Sequence, residues 1–106
     1  MLTKQQRQIV EKARDRIADP AHWCRKAFAR TASGHICDVT DPRARRFCAV
    51  GALAVEYLAA GSEWPDDDGD KLAARFDPRG RTLVDVNDDD GQSAVLALLD
   101  KALAEA

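Results

Sequence analysis

The sequence predicts a mainly α-helical protein, a compact bundle of four or five helices around a central helix at about residues 42–60, with room for a very short two-stranded β element. Three observations predict this. The longest apolar stretch, residues 47–55, stands between an Asp-Pro helix start and Gly61. Apolar residues also recur at helical spacing near both ends of the chain. Hydrophobic residues make up 45% of the 106 residues, enough for the core of a single helical domain spanning residues 1–106.

The central helix carries signals at both ends and apolar residues on two faces. Asp41 can cap its first turn, Pro42 suits its first position, and Gly61 can end it in the left-handed conformation. Gly51 costs about 1 kcal/mol relative to Ala inside a helix, which predicts that another helix packs closely over it. A helix with two apolar faces should be buried on two sides. The small face is Cys48, Gly51, Ala52, Val55 and Ala59, and the bulky face is Phe47, Val50, Ala54, Tyr57 and Leu58.

Two further helices are predicted in the first third of the chain. Residues 3–18 form an amphipathic pattern with Thr3 as the N-cap. The apolar stripe of this helix is Leu2, Ile9, Val10, Ala13 and Ile17. Asp19-Pro20 repeats the Asp-Pro helix start, which predicts a second helix at about residues 20–31. The side chains that this second helix is expected to bury are Trp23, Ala27 and Phe28.

The rest of the chain combines short extended segments, turns and a final helix. Residues 34–40 are rich in β-branched side chains, and residues 82–86 alternate, so residues 82–86 could pair with residues 36–39 as a short strand. Residues 77–80, Asp-Pro-Arg-Gly, are a strong turn signal. A final helix is predicted at about residues 91–105. Its core stripe is Val95, Leu98, Leu99, Ala102 and Leu103.

Charge is unevenly distributed along the chain. Residues 1–50 hold 11 Lys and Arg against 5 Asp and Glu, a net of +6, whereas residues 51–106 hold 5 against 13, a net of −8. An internally compensated surface and a surface with two poles both fit this division. No apolar run reaches the roughly 20 residues that cross a bilayer, and the N-terminus lacks the apolar segment of a signal peptide. The sequence has three cysteines, an odd number, which fits a reducing compartment. Together these observations predict a cytoplasmic protein without a membrane partner.

Several landmarks occur in a particular order along the chain. They are Trp23-Cys24, an Asp-Pro start before Arg46-Phe47-Cys48-Ala49-Val50-Gly51-Ala52-Leu53, then Asn87-Asp88, then a Val-rich final helix. This order resembles a family of small uncharacterised bacterial and phage proteins, a domain of unknown function with a Trp, a Phe/Trp-Cys-x-x-Gly-Ala-Leu block and an Asn-Asp pair. The resemblance covers about residues 20–104. It implies one compact helical domain and supplies no mechanism.

Histidine and cysteine side chains are the candidates for metal binding or nucleophilic chemistry. Zinc takes four His or Cys ligands in a tetrahedral arrangement. The sequence has no Cys-x-x-Cys pair, and Cys48 lies on an apolar helix face, where free cysteine packs as a small hydrophobe. We therefore expect core and surface residues rather than a metal site or a Cys–His catalytic pair, and no cofactor. The sequence leaves open whether the five candidate side chains lie close together in the fold. They are His22, Cys24, His35, Cys37 and Cys48.

Two acidic segments, one starting at Asp66 and one at Asp85, invite comparison with a calcium-binding loop. An EF-hand needs Gly at the sixth position and Glu at the twelfth, and neither segment supplies them. Residues 87–90 are better explained as turn and cap chemistry before the final helix, with acidic groups near its positive end. The alternative that remains for either segment is adventitious binding of a divalent ion.

Basic residues in the first half could form one patch, whose members are Arg25, Lys26, Arg30, Arg43, Arg45 and Arg46. Phosphate neutralisation by such a patch would indicate nucleic-acid binding. Against this, the chain has a net charge of −2, few aromatic residues that could stack on bases, and no recognition motif. The alternative is a solvated surface. Any nucleic-acid association is therefore expected to be weak.

The function predicted from these observations is a non-enzymatic binding or regulatory module that acts through protein–protein contacts. The alternative is a weak nucleic-acid-associated protein that uses the basic residues of the first half. A zinc-binding protein or small enzyme comes third, because no base, nucleophile and oxyanion group can be identified together. We expect a protein partner or a homo-oligomer. The candidate contact residues are Trp64, Arg43, Arg45, Arg46, Asn87 and Asp88.

Overall fold

The computed structural model describes residues 2–62 and 75–105, and it shows a helix-rich fold with a small antiparallel sheet. The helices are α1 (Lys4–Arg16), α2 (Ala49–Ala59), the single turn α3 (Leu83–Asp85) and α4 (Gln92–Glu105). The strands are β1 (Ala29–Thr31), β2 (Ile36–Cys37) and β3 (Ala44–Phe47). Two further turns of helix are a 3-10 turn at Pro20–His22 and a π-helical turn at Val86–Asp90. The described residues contain no helix long and apolar enough to span a membrane.

Three helices, α1, α2 and α4, form what we call the helical layer. In α1, Thr3 caps the first turn by accepting a hydrogen bond from the backbone N–H of Gln6, as the sequence predicts. The α1 helix packs against both α2 and α4, and the predicted stripes of α1 and α4 supply eight of the 17 buried residues of the core cluster in the described part of the chain. The core residues of this layer are Ile9, Val10, Ala13, Ile17, Ala49, Ala52, Leu53, Tyr57, Val95, Leu98, Leu99 and Ala102.

Residues 20–48 form what we call the sheet region. The strand order is β2-β1-β3, with both pairs antiparallel. Its inner face carries Ala29 between Cys37 and Phe47, and Ala29 and Phe47 are buried in the core. Its outer face carries Arg30 between Ile36 and Arg46.

The predicted helix at residues 42–60 is wrong in its first third. Asp41 caps a turn instead of a helix, because its carboxylate accepts the backbone N–H of Arg43 at 2.8 Å and its carbonyl accepts that of Ala44 at 2.9 Å. Strand β3 follows, and α2 begins only after Cys48, whose Sγ accepts the backbone N–H of Gly51 at 3.3 Å. The apolar run therefore continues through a strand and a helix, and its periodicity changes at Cys48.

The predicted helix at residues 20–31 is also wrong. The Asp19-Pro20 start produces only the 3-10 turn, in which Asp19 accepts the backbone N–H of Ala21 at 2.9 Å. Lys26 then adopts a left-handed φ of 62°, which an α-helix cannot accommodate, and the chain turns into β1. Phe28, predicted to be buried, is 57% exposed.

The short β element has three strands rather than the predicted two, and residues 82–86 do not join it. They form α3 and the start of the π-helical turn, because Thr82 caps α3 through its hydroxyl. β2 pairs instead with β1, and the β1–β3 pairing carries a bulge at which Thr31 faces Ala44 and Arg30 faces Arg46. Arg45 is therefore the extra residue of the bulge. The predicted turn at residues 77–80 is confirmed, with Gly80 N–H donating to the carbonyl of Asp77 at 3.1 Å.

Gly51 is closely packed, although its neighbour is a loop and not another helix. A Cβ atom at this position would overlap the backbone carbonyl of Phe28, just before β1. The same carbonyl accepts the backbone N–H of Cys48 at 3.3 Å. The missing side chain thus allows the sheet region to lie against the first turn of α2.

Candidate functional site

An open groove with a volume of about 520 Å³ lies where the sheet region meets α2 and α3. Phe28 and Ile36 stand beside it with 57% and 68% of their surface exposed. Large apolar side chains exposed together at a groove are typical of binding surfaces. The residues lining the groove are Lys26, Ala27, Phe28, Ile36, Cys48, Val84 and Asp88.

A fully buried amide, Asn87, holds the sheet region beside this groove. Its Oδ1 accepts the indole N–H of Trp23 at 2.8 Å and the backbone N–H of Ala49 at 3.0 Å. Its Nδ2 donates to the carbonyl of Cys24 at 3.1 Å and to Asp88 Oδ1 at 3.0 Å. One side chain thus joins the start of the sheet region, the first turn of α2 and its own π-helical turn. Burying this amide costs little free energy because both its oxygen and its nitrogen have hydrogen-bond partners.

Asp88 extends this network to the rim of the groove. Its Oδ1 accepts the backbone N–H of Lys26 at 2.8 Å in addition to the Asn87 amide. That bond holds Lys26 in the left-handed conformation, which a residue with a Cβ adopts only at a cost of about 1–2 kcal/mol. Strained backbone that is held by its surroundings is often found at functional sites. The result is a fixed position for the Lys26 backbone at the rim.

Cys48 is the thiol that lines the groove, and its environment disfavours the thiolate. Burial raises the pKa of Cys48 to about 11, although the backbone N–H of Gly51 donates to its sulfur. Burial likewise raises the pKa of Cys24, against the opposing influence of Arg30 and Arg46. Both thiols are therefore mainly protonated near neutral pH, and a protonated thiol is a poor nucleophile.

Two arginines lie on the outer face of the sheet, in one row with the groove residue Ile36. Ile36 lies directly opposite Arg30 on β1, and Arg30 lies directly opposite Arg46 on β3. Within the described residues neither arginine forms an ion pair; they donate to backbone carbonyls, Arg30 to Gly34 at 2.8 Å and Arg46 to Ala32 at 3.4 Å. The Nε of Arg46 is buried and has no acceptor there. This face therefore presents uncompensated positive charge beside exposed apolar surface.

The predicted contact residues reach different places. Arg43 pairs with Asp41 at 3.1 Å, and Arg45 donates to the carbonyls of Pro42 and Ala44, so these guanidinium groups are already engaged. Arg46 lies on the outer sheet face and Asp88 at the rim of the groove. Asn87 is fully buried and can influence a contact only through the residues that it positions. Trp64 lies outside the described residues.

The soft-ligand candidates do not converge in the described part of the chain, where no group of three His, Cys, Asp or Glu side chains could hold a metal ion. His35 instead contacts Ser33 within the β1–β2 turn, with Nδ1 and Oγ 3.0 Å apart. His22 lies exposed in the 3-10 turn. Cys24 and Cys48 are buried, and Cys37 is half-buried on the inner face of the sheet.

Of the seven described residues that line the groove, only Asp88 is among the contacts predicted from the sequence, and Lys26 is predicted only as a member of the basic patch. The sequence places Phe28 in the core of a helix and Ile36 in a short extended segment without a role. A usable signal was available, because two large apolar residues flank the turn signal at Ser33-Gly34 in a stretch of basic and polar residues. That signal indicates a hairpin with exposed apolar side chains.

Comparison with known proteins gives a family match and little else. The model of a protein family described as a family of unknown function, DUF6197, matches residues 1–105. No curated protein and no solved structure matches the chain. The matched range includes the helical layer, the sheet region and every residue that lines the groove.

Proposed function

This chain belongs to the family of unknown function DUF6197, and we propose that it is a non-enzymatic binding module that holds an apolar side chain of a partner protein in the groove. The observation that carries this proposal is the exposure of Phe28 and Ile36 beside an open groove of about 520 Å³. Removing such apolar surface from water favours binding by about 25 cal/mol per Å² of buried area before the costs of association.

The chemistry of the groove supports binding over catalysis. The pKa of Cys48, raised by burial to about 11, leaves its thiol protonated at neutral pH. The Asp88 carboxylate is occupied at Oδ1 by Lys26 and Asn87. These groups hold the shape of the groove and leave little reactive capacity in it, which fits a recognition surface.

The alternative of nucleic-acid binding has weaker support. A protein that follows a phosphate backbone needs a continuous row of available cations. Arg43 and Arg45 already bond within the chain, and Arg25 lies over the Trp23 ring with 5.1 Å between its guanidinium carbon and the ring centroid. Of the other cations of the patch, Lys26 lines the groove, and Arg30, which also donates to backbone carbonyls, lies beside Arg46 on the outer sheet face. This compact charge beside apolar surface suits a peptide better than a nucleic-acid strand.

The free state of Cys24, Cys37 and Cys48 supports a reducing compartment, so we place this activity in the cytoplasm of a bacterium or of a phage-infected cell. The bacterial or phage setting is what the resemblance of the motif order to a family of small bacterial and phage proteins implies, and it is part of the proposal.

A peptide selection tests the proposed function. Random peptides displayed on phage are selected on the parent protein, and the affinity of the recovered peptides is measured by fluorescence polarisation. We expect peptides with a large apolar residue, and a loss of affinity of roughly tenfold or more with Ile36→Asp, since a buried charge excludes the apolar anchor. Leu58→Asp is the matched control, because Leu58 is 48% exposed and lies in α2, outside the groove lining. Peptides that bind Ile36→Asp as well as the parent would contradict the proposal.

A further inference from the structure

The outer face of the sheet presents an arginine pair that the proposed function does not use. Arg30 and Arg46 face each other across β1 and β3, and like charges in directly opposite positions are destabilising. No carboxylate among the described residues compensates them, since neither forms an ion pair there. Their guanidinium groups donate in the same part of the chain to the backbone carbonyls of Gly34, Arg25 and Ala32, and Arg30 also bonds the Cys24 thiol.

The two guanidinium groups differ in how firmly they are held. Arg30 donates to Gly34 at 2.8 Å and to Arg25 at 3.3 Å, which fixes it at the base of the β1–β2 turn. Arg46 has one bond, to Ala32 at 3.4 Å, and a buried Nε without an acceptor among the described residues. An unsatisfied buried donor costs about 1–3 kcal/mol. Reorienting Arg46 toward an acidic group would therefore sacrifice one long bond and gain charge-assisted ones.

The position of this pair relative to the groove defines the ligand. Ile36, Arg30 and Arg46 occupy directly opposite positions on three adjacent strands, so Arg46 lies about 10 Å from Ile36 across two strand spacings. An extended peptide advances about 3.3 Å per residue. Because side chains of an extended peptide alternate between its two faces, a segment that places an apolar side chain in the groove brings its second following or preceding side chain, about 6.6 Å away, to the arginine pair, between Arg30 and Arg46.

We propose that Arg30 and Arg46 form an oxyanion-binding site for the partner segment, which carries a carboxylate or phosphate group two residues from its apolar anchor. This inference rests on the proposed function, because the apolar anchor occupies the same groove. The guanidinium fork suits either oxyanion, since both accept two parallel N–H bonds. The pair therefore determines which apolar segments the groove accepts.

Direct anion binding can be measured without a peptide. Inorganic phosphate is titrated into the parent protein while the arginine Nε–Hε resonances are followed by NMR. The expected result is saturable shifts of the Arg30 and Arg46 signals, and loss of the Arg30 shift in Arg46→Gln. Arg45→Gln is the matched control, because it removes the same charge from the bulge position outside the row. Equal, non-saturable shifts of all arginines would indicate general screening only and would overturn the site.

A peptide series then tests the spacing and the source of the anion. Peptides selected for groove binding are made with Glu, phosphoserine or Gln two residues from the apolar anchor, and with Glu moved next to the anchor, where its side chain faces away from the sheet. We expect peptides with Glu or phosphoserine two residues from the anchor to bind roughly tenfold more tightly than the Gln peptide, and we expect Arg46→Gln to remove that gain because a charge-assisted bond is lost. Arg46→Lys should restore it only in part, because Lys lacks the fork.

The outcomes separate the two proposals. If peptide affinity depends on Ile36 but is the same for Glu and Gln peptides, the groove function stands and the oxyanion site is wrong. If a labelled single-stranded oligonucleotide binds more tightly than the Glu peptide at the same ionic strength and depends on Arg46, the peptide proposal is wrong and the pair serves nucleic acid. Thermal melts of each variant ensure that only folded proteins are compared.

Discussion

The helical layer and the sheet region are held together in different ways. In the helical layer, aliphatic side chains of α1, α2 and α4 interlock, and Leu53, Val95 and Leu99 are almost completely buried. In the sheet region, the strands have two to four residues and contribute few buried side chains, chiefly Ala29 and Phe47. Its attachment depends on polar bonds from Asn87, a residue of the C-terminal half. The first region is stabilised mainly by apolar packing, and the second needs a specific buried hydrogen-bond network.

This difference explains where the groove can form. Phe28 and Ile36 are exposed beside the groove, so they do not fasten the sheet to the core. The polar anchors at Asn87 and Asp88 perform that task and leave the apolar side chains available. A second anchor comes from the helical layer, where Arg16 pairs with the buried Glu56 at 2.7 Å and lies over the Phe47 ring.

The largest effect should come from replacing Asn87 with Leu. The leucine side chain has a similar volume and fills the space. It leaves three groups without their hydrogen-bond partner, namely Trp23 Nε1, the N–H of Ala49 and the carbonyl of Cys24. At about 1–3 kcal/mol for each orphaned group, we expect a loss of at least about 3 kcal/mol, measured by urea denaturation. Trp23→Phe removes one of these bonds and should cost clearly less. A loss below about 1 kcal/mol for Asn87→Leu would show that the network is not needed.

Gly51→Ala should have the next largest effect, at the contact between the two regions. The added methyl overlaps the Phe28 carbonyl, which is backbone and cannot rotate away. Overpacking typically costs about 1–3 kcal/mol, more than the gain of up to about 1 kcal/mol in helix propensity. We therefore expect Ala to destabilise the protein and Leu to destabilise it further. An Ala variant at least as stable as the parent would contradict the close approach of the sheet region to α2.

A smaller effect is expected from acid, at the segment that carries Asn87. Arg81 bonds Asp77 and Asp90, and it holds the pKa of Asp77 at about 2, below the usual 3.8. A depressed carboxyl pKa stabilises the fold above the unfolded-state value, and this contribution is lost as pH falls from near 4 through 2. Urea midpoints between pH 5 and pH 2 should therefore decrease, and less steeply in Asp77→Asn. Identical pH profiles for the two proteins would show that this pair does not contribute.

The sequence predicts the helical layer far better than the sheet region, and the reason is physical. Helices α1 and α4 have three or more turns, so their apolar stripes repeat often enough to be recognised, and Thr3 marks the start of α1. Strands of two to four residues offer no comparable repeat. The sequence pattern therefore places Arg46 and Phe47 in a helix, although they belong to β3. Residues 82–86, which alternate in sequence, form helical turns instead of a strand.

The candidate site could be predicted only in part for a related reason. Asn87, Asp88 and Arg46 were selected from the sequence, but their roles depend on contacts with distant residues. The indole of Trp23 meets Asn87 across 64 positions of sequence, and no local pattern indicates that pairing. The left-handed Lys26, which directs the chain into β1 and forms the rim of the groove, depends on Asp88 across 62 positions. A bond of this kind is specified by the complete fold and not by the neighbouring sequence.

Native-state hydrogen exchange tests most directly whether the sheet region is attached as a separately opening unit. If it opens while the helices stay intact, Leu99→Ala in α4 should lower the opening free energy of α1 and α4 amides, by about 2–5 kcal/mol, and leave that of β1 and β3 amides unchanged. Asn87→Leu should lower both sets equally, since its bonds exist only when both regions are docked. If Leu99→Ala lowers the opening free energy of strand and helix amides by the same amount, the two regions form a single cooperative unit and this account is wrong.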